Sequence, residues 1–281
     1  MVFETAAGIA TLWRDRAGRF SAIKAATLAV CCAPGLYLAW QWATGATGPR
    51  TFDFLNHACG NWTLRFLLAT LAVTPFRAIY RYPKLFLVRR MLGLTALSYL
   101  ILHVMFYVAE QNFHLGFVAS EILRRTYLTL GFGALLCLLA LGLTSFDAAI
   151  AGMGVWWRRL HMLIYLAAAA GVVHFLMQSK TVSPRATLLG GLLAWLLVWR
   201  LLPAKLRTRP WFLFIYAAFA SVLAALLEAG WYLIATNVNV MRVLAANWRW
   251  GFEPRPAVWV LIWALTVAAL AQVRDWTKRQ A

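Results

Sequence analysis

Long apolar runs alternate with short polar segments over almost the whole chain. Runs long enough to cross a bilayer as helices, ~17–25 residues each, fall at about 21–43, 62–80, 91–111, 127–146, 159–179, 186–202, 211–236 and 257–273. The pattern predicts an all-α, polytopic transmembrane bundle of about eight helices, the sixth being the shortest. Strict apolar–polar alternation of the kind a membrane barrel requires is missing. The longest polar segments, 44–61, 112–126, 147–158 and 237–256, are too short to hold a folded extramembrane domain. No glycine-rich dinucleotide fingerprint and no Walker pattern occurs, so the chain carries no nucleotide module for NADPH or ATP. Any redox fuel must then come from the membrane or from another polypeptide. The lack of an internal repeat argues against an inverted-repeat transporter.

Composition agrees with the pattern: 63% of the 281 residues are hydrophobic and 13% charged, against about a quarter charged in soluble domains. Residues 1–20 include Glu4, Arg14, Asp15, Arg16 and Arg19 and are too polar for the apolar region of a signal peptide. The first apolar run is long enough to remain as an anchor. The net charge of +18 would suit nucleic acid, but its placement points elsewhere. On alternate sides of the eight runs, 18 of the 27 Lys and Arg fall on one side and nine on the other. The positive-inside rule then puts both termini in the cytoplasm. Anionic lipid, not nucleic acid, accounts for the basic excess.

Within these runs, three histidines stand out: His103, His161 and His174. A polar ring in hydrocarbon is costly and marks a functional site by default. Neutral imidazole is also a common metal ligand and an axial ligand of haem iron. The predicted topology puts His103 and His174 at similar depth toward the outer face, on two different helices, as a clamp on one haem iron would need. His161 lies 13 residues before His174, about 19.5 Å along an ideal helix, near the inner face. The same step of ~100° per residue turns His161 and His174 to different sides of a regular helix, so that helix must be irregular or approached from two sides. Arg89 occupies the position 14 residues before His103 where a second histidine would share its face, so a second haem would have His161 alone or a non-histidine partner.

Other polar residues carry weaker signals. His57 falls in a predicted outer loop just before the second helix, and His114 in a second outer loop. Glu228 is the one carboxylate well inside a span, either a proton relay or the partner of a neighbouring helix. Arg77, Arg81, Arg89, Arg90, Arg158 and Arg159 at the inner face suit haem propionates or a flavin phosphate, or simply carry the positive-inside charge. Trp156, Trp157, Trp248 and Trp250 read as interfacial anchors. Cys31, Cys32, Cys59 and Cys137 form no metal or iron–sulfur spacing and read as packing residues.

The ordered stretches CGNWTLRFLLATLAVTPFR (59–77), VRRMLGL (88–94), EILRRTYLTLG (121–131), LTS (143–145) and WRRLHMLIYLAAAAGVVHFL (157–176) resemble the MsrQ family, also called YedZ. These are haem-binding membrane subunits of bacterial periplasmic protein-methionine-sulfoxide reductase systems, within the wider ferric-reductase-like transmembrane group. The resemblance covers roughly residues 20–202. It implies a six-helix haem-binding domain over 21–202, after a cytoplasmic segment 1–20, with 203–281 as an additional two-helix extension. It implies haem b, one or two per chain, with FMN as a further cofactor. The implied ligand positions are His103, His174 and His161, with Arg89 at the position where the broader group has a second histidine. The implied function is electron transfer from quinol to a periplasmic molybdopterin-containing methionine-sulfoxide reductase subunit, making the chain an electron-transfer subunit and not the catalytic one. The sequence departs from the family at HACG (57–60), at Thr126, where a proline is common, and in the extension. Two rival readings fit the same histidines: a ferric-reductase-like cytochrome with another acceptor, and a transporter that moves protons through them.

Overall fold

The computed structural model describes residues 12–14, 18–179, 184–249 and 253–280, and all the regular elements among them are helical. Eight long helices correspond one to one with the eight apolar runs. They are α1 (Ala22–Ala43), α2 (Thr51–Tyr80), α3 (Arg89–Glu110), α5 (Thr126–Leu143), α8 (Leu163–Gln178), α9 (Pro184–Leu201), α10 (Pro210–Ala235) and α12 (Pro256–Gln280). Short helices fill the connections: α4 (Leu115–Arg124), α6 (Asp147–Met153), α7 (Val155–Leu160) and α11 (Val240–Ala246), with a 3₁₀ turn at Pro83–Val88. Six helical segments among the described residues are long and apolar enough to cross a membrane. The two long helices outside that set, α2 and α9, carry Arg65 with Arg77 and Arg185 with Arg200 respectively.

Local chemistry explains the ends. Proline opens α9, α10 and α12 as Pro184, Pro210 and Pro256; its missing N–H costs nothing in the first turn. Asn239 caps α11, its side-chain oxygen accepting from the N–H groups of Met241 (3.0 Å) and Arg242 (3.3 Å), as an N-cap should. Arg81 ends α2 in the left-handed region (φ 52°), and the Tyr82 N–H returns to the Arg77 carbonyl at 3.2 Å. This is the closing bond of a Schellman stop.

Two boundaries differ from the sequence expectation. The second helix begins at Thr51 instead of about 62. Residues 51–61 are too polar for a hydropathy window, yet they continue the helix, because helix formation needs backbone pairing and not an apolar side chain at every position. His57 therefore sits in α2, not in a loop. The fifth run is broken: α7 ends at Leu160 and α8 starts at Leu163. At the break, Met162 N–H bonds to Arg159 O (3.2 Å) and Tyr165 N–H to Met162 O (3.1 Å). These are i→i−3 bonds, tighter than the α pattern. A departure from the regular α pattern, one of the ways the 161–174 spacing left open, therefore falls at His161 itself.

The chain divides into two compact units, Met1–Val73 with Pro83–Ala167, and Thr74–Tyr82 with Ala168–Ala281. In the first, the α2 portion is the inner element, burying Leu55, Leu64, Phe66, Leu67, Leu68 and Leu71. Phe66 stacks on Tyr99 of α3 with ring centroids 5.3 Å apart, and the Tyr99 hydroxyl donates to the Cys31 carbonyl of α1 at 3.1 Å. Three helices are thereby tied through one aromatic side chain. Trp42, Phe52 and Phe106 form an aromatic cluster, with centroid separations of 6.1–6.4 Å, at the end where α1 passes into α2.

In the second unit, α9, α10 and α12 approach through small residues. Ala217, Ala220, Ala224 and Ala225 of α10 and Ala257, Ala264, Ala268 and Ala271 of α12 are all buried. Small side chains let helix backbones come close, which is how membrane helices gain packing energy without a hydrophobic driving force. Ser221 donates to the Ala257 carbonyl at 2.9 Å, and the Tyr216 hydroxyl to the Trp195 carbonyl at 2.5 Å. Gly191 is the tightest point: a Cβ there would lie 2.7 Å from Ala224 Cβ and 3.0 Å from Val260 Cγ2.

Gly191→Val is expected to destabilise the protein by about 1–3 kcal/mol through overpacking, read as a lower thermal midpoint in detergent. Gly133→Ala, where an added Cβ meets nothing within 4 Å, should leave the midpoint unchanged or raise it.

Candidate functional site

His103 lies on α3, half-buried, facing the first turns of α2. Its Nδ1 is 2.9 Å from the backbone carbonyl of Asn56. A carbonyl oxygen can only accept, so Nδ1 carries the proton, and in the neutral ring Nε2 holds the lone pair. Gly60 borders the same ring: a Cβ on it would lie 3.0 Å from His103 Nδ1 and 3.1 Å from Cε1. His103 is legible in the sequence, whereas Asn56 and Gly60 leave no trace there beyond the unusual HACG stretch, which lies in the helix.

His161 is arranged differently. It caps α7, and its Nδ1 is 3.1 Å from the Trp157 carbonyl, one turn back in its own helix. Again Nδ1 is the donor and Nε2 the lone-pair nitrogen. Nε2 is 3.5 Å from Ser145 Oγ, but Ser145 directs its hydroxyl to the Leu141 carbonyl at 2.6 Å, so this contact shares no proton. The imidazole stacks on the Trp157 indole, centroids 3.8 Å apart and planes 25° from parallel. The indole N–H donates to the Thr144 carbonyl at 2.9 Å. Trp157 therefore supports His161, a contact that its interfacial position did not foretell. Trp156 does remain exposed, with the Arg159 guanidinium 4.8 Å above its ring. Trp250 lies outside the described residues.

Arg89, at the start of α3, interacts electrostatically with His161, so those two sequence candidates share one neighbourhood. Arg90 instead pairs with Asp147 at 2.9 Å, and Arg158 and Arg159 are exposed. His174 is half-buried on α8, in the second of the two units. His57 bonds through Nδ1 to the Asp53 carbonyl at 2.8 Å and approaches the Asp53 carboxylate at 3.3 Å, while His114 is exposed at the start of α4. No group of three His, Cys, Asp or Glu among the described residues is arranged to hold a metal ion. The Nδ1-protonated, carbonyl-bound rings of His103 and His161 suit an iron that already has its equatorial ligands, as in haem; ligating histidines typically donate their other N–H in this way.

Glu228 resolves toward the structural reading. Its carboxylate is 1% exposed, accepting from Asn247 Nδ2 at 2.7 Å and from the Arg255 guanidinium at 3.3 Å. Both partners lie in the connection between α10 and α12, Asn247 at the end of α11 and Arg255 just before α12. The buried carboxylate thus pins that connection.

Comparison with known proteins bears on these residues. A family model described as "Ferric reductase like transmembrane component" matches residues 57–172, a range containing His103 and His161. The chain is 40% identical over 170 residues to the "Protein-methionine-sulfoxide reductase heme-binding subunit MsrQ" of Rhizobium meliloti (strain 1021), covering 57% of this chain and 76% of that protein. It is 38% identical over 182 residues to the proteins of that name from Brucella ovis (strain ATCC 25840 / 63/290 / NCTC 10512) and Brucella abortus (strain 2308), covering 63% of this chain and 80% of each. No solved structure matches.

Glu228→Leu should lower stability by about 1–3 kcal/mol, less than the cost of breaking a fully buried pair, because Arg255 is 38% exposed and partly screened. Glu228→Gln, which keeps an acceptor for Asn247, should lose less. Thermal midpoints of the two variants beside the parent protein measure the difference.

Proposed function

The chain belongs to the MsrQ family, and from that premise we propose that it is a membrane b-type cytochrome that carries electrons from quinol to a periplasmic, molybdopterin-containing protein-methionine-sulfoxide reductase. The observation that carries the reading is His103: an imidazole in an apolar helix, its Nδ1–H given to the Asn56 carbonyl, in a chain similar to haem-binding subunits. By the family resemblance, His103 and His174 would each be a ligand of the outer haem. His161, stacked on Trp157, would be the inner ligand, and the Arg89 guanidinium, which lies within electrostatic reach of His161, is of the kind that suits a propionate. Haem supplies a one-electron carrier of adjustable potential. The protein holds the imidazoles of His103 and His161 in the Nδ1-protonated tautomer.

The basic inner surface supports an FMN on the cytoplasmic side, its phosphate held by the exposed Arg158 and Arg159, since arginine forms forked bonds to such anions. The two-to-one distribution of Lys and Arg supports cytoplasmic termini and a bacterial inner-membrane location. Residues 21–202 form the haem-binding domain, and the family match at 57–172 falls inside it. Residues 203–281 are an appended hairpin, and 1–20 a cytoplasmic segment.

A reduced-minus-oxidised spectrum of the purified protein tests the cytochrome reading, and a preparation without a Soret band ends it. His103→Ala and His174→Ala should each remove the same haem, while His161→Ala should change a different spectral component. Full haem content in all three variants would refute the ligand assignment. Reporter fusions at residue 281 and in the 112–126 segment should report opposite sides of the membrane, the first cytoplasmic.

A further inference from the structure

The interaction that orients His103 depends on a missing side chain. Within α2 the Asn56 carbonyl faces residue 60, four positions on. Helical Cβ atoms tilt toward the N-terminus, so a side chain at position 60 stands over the carbonyl of residue 56 and screens it from a donor on another helix. Position 60 is glycine. The His103 ring occupies the space a Cβ would take, 3.0 Å to Nδ1, 3.1 Å to Cε1 and 3.7 Å to Cγ, and reaches the Asn56 oxygen at 2.9 Å. A Cβ at those distances would force the ring to yield by a few tenths of an ångström or more. The ring atom nearest that Cβ is Nδ1, the atom that makes the hydrogen bond.

We propose that Gly60 is a positioning residue for His103: it opens a window in α2 through which the imidazole donates Nδ1–H to the Asn56 carbonyl, and this sets the tautomer and the donor strength of Nε2. The proposal deepens the cytochrome reading and, for its redox consequence, rests on it. An imidazole that gives its second N–H to a carbonyl is a more basic ligand. A more basic ligand favours the ferric state and lowers the potential. Closing the window weakens that bond and shifts the balance toward the ferrous state. His161 makes its carbonyl bond within its own helix, so it needs no such window.

The graded pair Gly60→Ala and Gly60→Val tests this, with Gly133→Ala as a glycine control in open surroundings. Redox titration of the haem that His103→Ala removes should show a positive shift that grows from Ala to Val. For Val we expect about a tenfold change in the ferrous-to-ferric ratio at fixed potential, 59 mV for one electron. Nitrogen-15 spectra of histidine in haem-free protein supply a readout independent of the cofactor. Wild-type His103 should show a protonated Nδ1 and a bare Nε2, a pattern lost in Gly60→Val and kept in Gly133→Ala. Unchanged potential and unchanged nitrogen shifts in both Gly60 variants would overturn the proposal. So would a wild-type His103 protonated at Nε2, which needs no variant to fold. Full haem in His103→Ala would sink the ligand assignment instead, while the nitrogen spectra would still decide the role of Gly60.

Discussion

A polar group placed in hydrocarbon has no water to fall back on and must find its partner inside the protein. Most hydroxyls in these helices meet that demand locally, bonding to the carbonyl one turn back: Thr63 to Cys59, Thr70 to Phe66, Thr266 to Ile262. A smaller set reaches another helix. Tyr99 reaches Cys31, Tyr216 reaches Trp195, Ser221 reaches Ala257 and His103 reaches Asn56. These few bonds specify how helices are registered against one another, because dispersion packing between apolar helices is tolerant of small slides whereas an unmet N–H or O–H in lipid is not.

The same demand separates the two histidines of the first unit. His161 is held by its own helix and by Trp157, so its orientation is a local property of the 155–161 turn. His103 is held by a different helix, and its orientation is only as good as the packing of α3 on α2. Residues that keep those helices together, Phe66 against Tyr99 and Thr70 beside Gly93, therefore act on His103 from a distance. One imidazole is insulated from the rest of the fold and the other reports on it.

Packing also differs along the chain. Within the most apolar windows of α1 and α5, 17% of residues are buried by protein, against 50% in α10 and 44% in α12. The first pair presents its faces to the bilayer, as Leu36, Trp40 and Leu136 do. The last pair closes on itself through alanine and glycine, and the Glu228–Arg255–Asn247 cluster fastens its connection.

Hydropathy and charge were enough to determine the all-α class, the eight long helices and the three histidines worth attention, because the cost of polarity in lipid acts position by position and is written in composition. The broken fifth helix was also legible, as a conflict between the 161–174 spacing and a regular helix, although its location was not. What the sequence could not specify was everything that depends on contact between distant segments. The pairing of Glu228 and the meeting of Gly60 with His103 across 43 positions were settled by tertiary structure. A window in a helix is visible only once another helix brings a side chain to it.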